Sequence, residues 1–410
     1  MITKKCRICE KRLLNVIKFN KVALSGSFLK KNQIRKEKKY SLSLLVCKSC
    51  KHVQINNIIN PNILFSHYDW ETGVSKSNIS LIRSLLFKLR KNFRFKKNSK
   101  IFEVASNDGT LLNEFKNYCG KSNILGIDPA KNLKKISDKK KVLSISDYFN
   151  SKLSRKLLSR FGYFDFIFAR NVIAHVSNPN EIFNGVKNLL TDEGTFILEV
   201  PHLGNIFQFN QYDNIFHEHV GFHSLKSIID LSQNNSLKIF DVEKIDSQGG
   251  SLRCYICKKS SKKTVSKKVF QIFDKEKKLG LFYPKELKKF KLKILSHINS
   301  MKNLIQSLKL KNKKISVYGA SGKGQALLQF CNLRYNNIDC AYDKSKLKQG
   351  RYTPGTFIKI KKPSKLKRQN TDYLLILSWN IKNEIIKQEK KFKHKGGKFI
   401  VPFPSPRIIS

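Results

Sequence analysis

The chain has 410 residues, of which 40% are hydrophobic and 11% aromatic. This content is sufficient for the buried cores of two or three domains, and it excludes disorder as the main state. The longest apolar runs, such as residues 373–379, are far shorter than the roughly 18 residues of a membrane span. The charged start of the sequence also lacks the apolar stretch of a signal peptide. We therefore expect a soluble, cytoplasmic protein with no membrane partner.

Basic residues greatly outnumber acidic ones, with 81 Lys and Arg against 29 Asp and Glu and a formal net charge of +52. Such an excess favours polyanionic partners such as nucleic acid. Only 14 of the 81 basic residues are Arg, however, and bidentate phosphate contacts prefer Arg. We interpret the charge mainly as a solvated Lys-rich surface, so a nucleic-acid partner is not expected. Of the 29 acidic residues, 17 lie between residues 101 and 250, where carboxylate chemistry is to be sought.

The first recognisable motif is formed by two cysteine pairs, each with a gap of two residues. The four residues are Cys6, Cys9, Cys47 and Cys50. Such a gap lets a tight turn direct two sulfurs at one ion, and four thiolates complete a closed tetrahedral Zn²⁺ site. We predict a structural zinc in a module spanning residues 1–75. Cys254 and Cys257 repeat the gap but fall in an apparent strand, where residues three apart face opposite sides, so we predict that they pack in the core.

After this module the sequence alternates between helical and strand patterns. Apolar residues recur at helical spacing from about residue 77 to 91, and a strand begins at Lys100. Further strands are predicted at Ile124–Ile127, Val142–Ile145, Phe164–Ala169 and Thr195–Val200. The alternation predicts a doubly wound α/β sheet in a domain spanning residues 76–260.

A long helix and a second alternating region complete the chain. Apolar residues step by three or four from Leu287 to Leu308, after a Pro at residue 284 that suits the first turn of a helix. From Lys314 a new alternation of strand, turn and helix continues to residue 402. We predict a smaller C-terminal sheet domain over residues 261–410.

The loop after the strand at Lys100 is the first candidate ligand site. It ends at Gly109, before a predicted helix, so its backbone amides can approach a ligand closely. About 20 residues on, Asp128 ends the next strand, where a carboxylate can accept from two ribose hydroxyls. An NAD site would have a second glycine, whereas this loop contains Asp108 and favours an amine-bearing ligand without phosphate, such as S-adenosylmethionine. Asp147 is a candidate for the adenine amino group; for it and Asp128 the alternative is a helix N-cap.

Three consecutive polar residues, His217, Glu218 and His219, follow at the predicted sheet edge where ligands bind. Histidine suits proton transfer at neutral pH, and a neighbouring carboxylate can fix its tautomer. By itself the run is equally compatible with capping or a structural ion. His175, after the fourth strand, is a second candidate for substrate contact or proton transfer, or else a buried imidazole with its hydrogen bonds satisfied.

In the C-terminal region, Gly319, Gly322 and Gly324 lie between a strand and a helix. The amides of this loop and Lys323 are suited to a diphosphate. A complete Walker pattern is absent, so nucleotide hydrolysis is not expected. A Rossmann-like domain kept only for packing is the alternative.

In order and spacing these motifs resemble the S-adenosylmethionine-dependent sugar C-methyltransferases that act on nucleotide-linked keto-deoxysugars. The resemblance extends over nearly the full length and implies a Rossmann-like class I methyltransferase domain between a small N-terminal zinc module and a C-terminal Rossmann-like domain that contributes to nucleotide-sugar binding. The matching stretches are residues 103–112, 126–130, 171–176, 199–201, 217–219, 249–252, 318–324, 348–356 and 396–402.

The resemblance implies methylation of a carbon adjacent to a sugar ketone, through His-mediated deprotonation to an enolate. The catalytic residues would be His219 as general base, with Glu218 as its orienter or as a partner of a substrate hydroxyl, and His175 as a donor to the enolate. The cofactor residues would be Glu103, Ala105, Asn107, Asp108, Gly109, Asp128, Asp147 and Asn171. The substrate residues would be Tyr68, Trp70, His217, Lys323, Arg351 and Tyr352.

Two positions depart from the family pattern. Phe216 stands where Tyr is usual, so a hydroxyl is missing beside His219. Ala105 replaces a common glycine in the cofactor loop, which we expect to be a mild change because a methyl group is small. The alternative function is an RNA-binding or RNA-methylating protein that uses the basic surface and the zinc module.

Overall fold

Three sheets organise the described part of this computed structural model, which comprises residues 3, 5–368 and 370–410. Met1, Ile2 and Lys4, at the charged start of the chain, and Gln369 lie outside the described residues. The strands are β1 (Leu13–Ala23), β2 (Lys39–Cys47), β3 (Val53–Ile55), β4 (Ile101–Val104), β5 (Ile124–Ile127), β6 (Ser144–Ile145), β7 (Phe164–Arg170), β8 (Leu190–Pro201), β9 (Gly221–Phe222), β10 (Leu237–Ile245), β11 (Ser251–Lys258), β12 (Ile315–Tyr318), β13 (Ala341–Tyr342), β14 (Ile360–Lys361), β15 (Tyr373–Ile376), β16 (Lys398–Val401) and β17 (Arg407–Ile409).

Helices connect and cover these strands. They are α1 (Pro61–Phe65), α2 (Lys76–Asn92), α3 (Thr110–Cys119), α4 (Lys131–Lys139), α5 (Ser151–Phe161), α6 (Pro179–Leu189), α7 (Leu203–Gln208), α8 (Leu225–Asn234), α9 (Lys267–Lys278), α10 (Pro284–Leu310), α11 (Gly322–Phe330), α12 (Lys382–Gln388) and α13 (Lys390–His394). Among the described residues, no helix combines the length and the apolar character needed to cross a bilayer.

The middle sheet has the strand order β10-β11-β8-β7-β4-β5-β6. Strands β4 to β8 pair in parallel, whereas β11 pairs with β8, and β10 with β11, in antiparallel fashion. This arrangement confirms the predicted α/β class. The order reverses between β4 and β7, and ligands of such sheets bind outside the carboxyl ends of the strands at that point.

Every residue of β4 and β5 is buried, as expected for parallel strands covered on both faces. Cys254 and Cys257 on β11 belong to the hydrophobic clusters on opposite faces of the sheet, which confirms that they are packed strand residues. The cluster that contains Cys254 also contains three of the four N-terminal cysteines. The predicted zinc module therefore shares a core with the middle sheet.

The N-terminal sheet is antiparallel and has the order β1-β2-β3-β9. Its fourth strand comes from within the predicted middle domain, since Val53 pairs with Phe222 and Gln54 with Gly221. This strand begins two residues after His219. The pairing was not expected from the sequence, and it fixes the end of the His217–His219 segment to the N-terminal module.

The C-terminal sheet has the order β14-β13-β12-β15-β16-β17, with only β17 antiparallel. This is the order of doubly wound dinucleotide-binding folds, with the reversal between β12 and β15. The predicted amphipathic helix is confirmed as α10, whose residues Phe290, Ile294 and Met301 are almost fully buried. They share one hydrophobic cluster with residues of the N-terminal and C-terminal sheets, so α10 joins the two.

Candidate active site

The carboxyl ends of the middle and C-terminal sheets approach each other across residues 210–219. The Nζ of Lys323, at the start of α11, donates to the Gln248 carbonyl 2.7 Å away, in the turn after β10. A Cβ atom at Gly322 would lie only 3.3 Å from the Phe216 ring, so a larger residue would require a small shift of that ring. The switch points, at which the strand order of each sheet reverses, therefore both open toward one region, where His219 also lies.

The cofactor loop of the middle sheet follows a tightly curled path after β4. Ala105, Asn107 and Gly109 have φ values of 55°, 53° and 72°, in the left-handed region. A non-glycine residue there is strained by contact between its Cβ and the backbone. The Ala105 substitution therefore affects the backbone conformation of the loop, and the size of its methyl group is the lesser consideration.

Asp128 is placed at the carboxyl end of β5, against this loop. Its Oδ2 accepts from the Asn107 amide at 2.8 Å and its Oδ1 from the Ala130 amide at 2.9 Å. The N-cap of α4 is Ala130, and that of α5 is Asn150, so the N-cap alternatives for Asp128 and Asp147 are wrong. Asp147 is exposed and accepts from the Tyr148 amide at 2.7 Å.

Two other predicted cofactor residues are engaged within the protein. The buried Asp108 accepts from Lys140 Nζ at 2.8 Å and from the Gly73 amide at 3.0 Å. Asn107 accepts from the Thr72 amide at 2.9 Å and donates to the Trp70 carbonyl at 3.0 Å. These contacts hold residues 70–73 against the cofactor loop, which leaves the Trp70 side chain 45% exposed.

Unpartnered acceptors lie at the carboxyl ends of β4 and β7. Glu103 Oε2 and Asn171 Oδ1 are buried, and neither has a hydrogen-bond partner among the described residues. Burial raises the pKa of Glu103 well above its ordinary value. The Tyr148 hydroxyl is also buried and unpartnered, and the charge of Asp128 contributes to its raised pKa. These acceptors and the curled loop fit the amine and ribose of S-adenosylmethionine, and Tyr148 is a further candidate for which the sequence offers no motif.

The end of β7 is held by buried ion pairs. Glu199 on β8 contacts Arg170 at 3.0 Å and Arg253 at 2.7 Å, and its pKa is lowered by these two guanidinium groups in spite of its burial. The Glu199 carbonyl also accepts from the Asn171 amide at 2.8 Å. Asn171 therefore sits at a backbone position fixed by two neighbouring strands.

His219 has one ring nitrogen occupied. Its Nδ1 lies 2.8 Å from the Asn214 carbonyl, and only an N–H can make this bond, so Nε2 carries the lone pair. Burial, together with the charges of His175 and Lys323, holds the pKa of His219 well below its ordinary value. The tautomer is thus fixed by a backbone carbonyl, whereas the sequence analysis had assigned this task to Glu218.

Glu218 instead faces the N-terminal module. A hydrogen bond from the Gly26 backbone reaches its carboxyl group, and burial raises its pKa to about 7. A Cβ at Gly26 would lie 2.8 Å from Glu218 Oε1, so a larger residue here would displace the Glu218 carboxyl group. Gly26 had no recognisable signal in the sequence, since the contact joins segments far apart in the chain.

Aromatic rings connect the histidines to the predicted substrate residue Tyr68. The His175 ring lies 4.8 Å from that of His219 and 5.7 Å from that of Phe65, measured between centroids. Burial lowers the pKa of His175 to about 4, and the ring donates to the Glu218 backbone. The Tyr68 ring lies 6.1 Å from that of Phe65, and burial together with the charges of Glu218 and Asp128 raises its pKa.

The remaining predicted substrate residues lie at contacts between modules. His217 Nε2 lies 3.1 Å from the Ser41 carbonyl on β2. Tyr352 exchanges two backbone hydrogen bonds with Leu29, of 2.8 and 3.0 Å, and Arg351 lies in the same turn. Their substrate roles stay predictions.

The four N-terminal cysteines come together. Their sulfur atoms all lie within 4.8 Å of one another, and three of the pairs are 3.5 Å apart. A tetrahedral zinc with Zn–S bonds of about 2.3 Å requires sulfurs about 3.8 Å apart. The cysteines therefore fit a closed structural zinc site.

Comparison with known proteins identifies the family. Three family models match in succession: "Putative zinc binding domain" over residues 6–65, "Methyltransferase domain" over 78–242 and "C-methyltransferase C-terminal domain" over 246–404. C-methyltransferase NovU of Streptomyces niveus is 31% identical over 407 residues, which cover 99% of this chain and 96% of that protein. The chain belongs to the C-methyltransferase family. It is an S-adenosylmethionine-dependent enzyme with a structural zinc module.

Solved structures are similar to part of the chain. A SAM-dependent methyltransferase from Anabaena variabilis is 14% identical, with a TM-score of 0.37, and the match covers 48% of this chain and 89% of that one. Magnesium protoporphyrin IX methyltransferase from Synechocystis with bound SAM is 10% identical, with a TM-score of 0.34, and the match covers 44% and 79%. The RNA-directed alternative has no support from the family models or the curated relative.

Proposed function

We propose that this C-methyltransferase transfers the methyl group of S-adenosylmethionine to a carbon adjacent to the keto group of a nucleotide-linked deoxysugar. The observation that carries the proposal is the His219 ring, whose Nδ1 is tied to the Asn214 carbonyl and whose Nε2 is left as a neutral base. The motif resemblance to sugar C-methyltransferases and the relation to C-methyltransferase NovU support the same assignment.

Methylation of carbon requires a carbon nucleophile, and a ketone one bond away makes one accessible. In the proposed step His219 Nε2 removes the proton from this carbon, and the electron pair of the C–H bond moves toward the ketone oxygen to give an enolate. Because burial keeps the pKa of His219 low, the ring is unprotonated and available at neutral pH. S-adenosylmethionine supplies the electrophilic methyl group, whose bonding electrons remain on sulfur after transfer.

The developing enolate needs a donor, and we assign this role to Glu218. With a pKa of about 7 it is partly protonated at neutral pH, and a protonated carboxyl group can donate a hydrogen bond. His175 had been the expected donor. Its N–H is directed at the Glu218 backbone while its Nδ1 is unpartnered, so the neutral ring offers a substrate hydroxyl an acceptor.

The nucleotide would bind at the C-terminal sheet. Lys323 stands in the first turn of α11, where the Ser321 side chain already accepts from the Gly324 amide. The helix N-terminus and the Lys cation both favour a diphosphate. Burial lowers the pKa of Lys323, and the nearby charge of Asp213 acts in the opposite direction. Burial raises the pKa of Asp213 itself.

The cofactor would occupy the switch point of the middle sheet. We propose that Glu103 and Asn171 meet its amino-acid part and that Asp128 and Tyr148 meet its ribose. The same proposal includes domain limits near residues 75 and 260. It also includes substrate contacts by Tyr68, Trp70, His217, Arg351 and Tyr352.

The decisive experiment measures methyl transfer from radiolabelled S-adenosylmethionine to a panel of nucleotide-linked sugars. We expect transfer to one or more 4-keto-6-deoxysugars and none to matched sugars reduced to the alcohol, which lack an acidic C–H. Ribosomal and transfer RNA serve as competing acceptors. Methylation of the alcohols or of RNA, with none of the ketosugars, would contradict the proposal.

A further inference from the structure

A side chain of the zinc-binding turn contacts the backbone between the two active-site histidines. Arg7 stands between the zinc ligands Cys6 and Cys9, and its Nη1 donates to the Val220 carbonyl. The Val220 amide in turn donates to the Ala174 carbonyl at 2.7 Å. Val220 follows His219 directly, and Ala174 precedes His175. One peptide segment thus links the zinc turn to both histidines.

The same carbonyl receives a second bond from the N-terminal module. The Ile55 amide donates to the Val220 oxygen at 3.2 Å, and the pairing of β3 with β9 begins at the next residue. Arg7 is itself held at both ends of its backbone. Its amide donates to Gln54 Oε1 at 2.9 Å, and its carbonyl accepts from Asn180 Nδ2 at 3.3 Å, near the start of α6.

The position of Arg7 is costly for a charged group. Its Nε and Nη2 atoms are buried and have no hydrogen-bond partner among the described residues. A buried cation with a single carbonyl contact is destabilising relative to an apolar residue of similar size. Packing alone therefore does not account for an arginine here, whereas the bond from its Nη1 to the Val220 carbonyl, made in addition to that from the Ile55 amide, gives the charged side chain a role.

We propose that Arg7 is a positioning residue for methyl transfer, which fixes the Val220 peptide and thereby the placement of His219 relative to His175. This inference rests on the proposed function, because it takes His219 as the base. A zinc ion bound by Cys6 and Cys9 would hold the turn on which Arg7 stands, and this turn would act on proton abstraction through Arg7 without touching the substrate. Misplacement of a catalytic group by about 1 Å is sufficient to reduce turnover about 100-fold.

The test replaces Arg7 by Met, which keeps the length and removes the donors, and by Lys, which keeps a cation. We expect Arg7→Met to lower kcat roughly 10- to 100-fold, with zinc content and cofactor affinity unchanged, and Arg7→Lys to recover most of the loss. Arg12→Met is the matched control, since Arg12 is an exposed arginine of the same module. It should leave kcat unchanged.

Two further measurements separate positioning from folding and from the proposed function. The ring resonances of His175 and His219, which need no substrate, should shift in Arg7→Met and remain in place in Arg12→Met. Unshifted resonances with wild-type kcat, or a loss of kcat that follows a loss of zinc or cofactor binding, would overturn the inference. Failure of the wild-type enzyme to exchange the hydrogen adjacent to the ketone would instead overturn the proposed function.

Discussion

In both the middle and the C-terminal sheet, a carboxylate after the second strand accepts a hydrogen bond from the loop after the first strand. The ionisable groups beside this carboxylate differ in sign between the two sheets. In the middle sheet, Asp128 after the second strand accepts from the Asn107 amide of the first loop at 2.8 Å. In the C-terminal sheet, Asp343 after the second strand accepts from the Ala320 amide of the first loop at 2.6 Å. A carboxylate that braces the first loop is therefore common to both and does not distinguish their ligands.

What differs is the group placed beside this brace. The middle sheet presents Glu103, whose buried Oε2 has no hydrogen-bond partner within the described part of the chain and is an acceptor suited to a cationic ligand. The C-terminal sheet presents Lys323, and also Lys348, whose Nζ lies 3.0 Å from the Ala320 carbonyl. One architecture thus offers an acceptor for a positively charged ligand at one edge and lysine side chains for an anionic ligand at the other, as the proposed cofactor and nucleotide sites require. The difference comes from a few loop residues, because the backbone frame is shared.

Removal of the proposed general base, His219, which lies between the two edges, should reduce turnover more than any other change. Positioned base catalysis contributes about 100- to 10,000-fold, so we expect His219→Ala to lose that much turnover while it still binds cofactor. The measurement is exchange of the hydrogen adjacent to the ketone into deuterated water, with an unreactive cofactor analogue bound. His394→Ala, at an exposed histidine of α13, is the control. Exchange at the wild-type rate in His219→Ala would transfer the role to another group, first to His175.

The comparison between the sheets predicts that a variant at each edge weakens the binding of one ligand and leaves the affinity for the other unchanged. Asp128→Ala should weaken cofactor binding by about 1–3 kcal/mol, because a charged acceptor loses its hydrogen bonds, and should leave nucleotide affinity unchanged. Lys323→Met should weaken nucleotide-sugar binding by a similar amount and leave cofactor affinity unchanged. Calorimetric titration of each protein with each ligand gives the four values. Equal losses for both ligands in either variant would contradict separate binding edges.

A third prediction concerns the pH dependence that Glu218 contributes. Since the protonated carboxyl is the proposed donor, kcat/KM should fall as pH rises through about 7, the pKa that burial gives this group. Glu218→Gln keeps a donor that does not ionise. We expect it to retain part of the activity and to lose the decline near pH 7. A decline that persists unchanged in the Gln variant would assign it to a different group.

The same shift has a consequence for stability. In the folded protein the pKa of Glu218 is about 7, so the carboxyl group keeps its proton up to that pH. In the unfolded chain it loses the proton near the ordinary pKa of 4.5. Between these values the unfolded state binds fewer protons, so this residue makes the free energy of unfolding fall as pH rises. One pKa unit corresponds to about 1.4 kcal/mol, so the shift from 4.5 to about 7 bounds the effect at about 3.4 kcal/mol. Urea denaturation at pH 5 and pH 8 should therefore show a smaller decrease for Glu218→Gln than for the wild type.

The sequence predicts those features that depend on local spacing or on continuous burial. The cysteine pairs, α10 and the strands of the middle sheet fall in this class, because each has its signal within a few turns or residues. Strand ends were less well placed, and β6 begins at Ser144 where Val142 was expected. β6 is an edge strand that pairs only with β5, so this pairing sets its length. The length of its apolar run therefore does not predict where the strand begins.

Contacts between distant segments had no such signal. The Asn214 carbonyl that fixes the His219 tautomer is a backbone group, and any residue could supply it. The pairing of β3 with β9, the approach of Gly26 to Glu218 and the reach of Arg7 to Val220 depend on how the modules pack. The sequence thus predicts which residue types carry the chemistry, and the fold decides which of them meet.

The smallest effect concerns the cofactor loop itself. Ala105 has a φ of 55°, where a residue with a Cβ is disfavoured by about 1–2 kcal/mol. Glycine relieves this strain but loses about 0.5–1 kcal/mol of backbone entropy on folding. We therefore expect Ala105→Gly to raise the free energy of unfolding by at most about 1.5 kcal/mol, the largest difference between these two terms. Gly109→Ala is the opposite case, since its φ is 72° and the added Cβ would lie 2.8 Å from Ser137 Oγ. Urea denaturation should show this variant to be less stable than the wild type, and a stabilised Gly109→Ala would mean that the loop does not hold the left-handed conformation in solution.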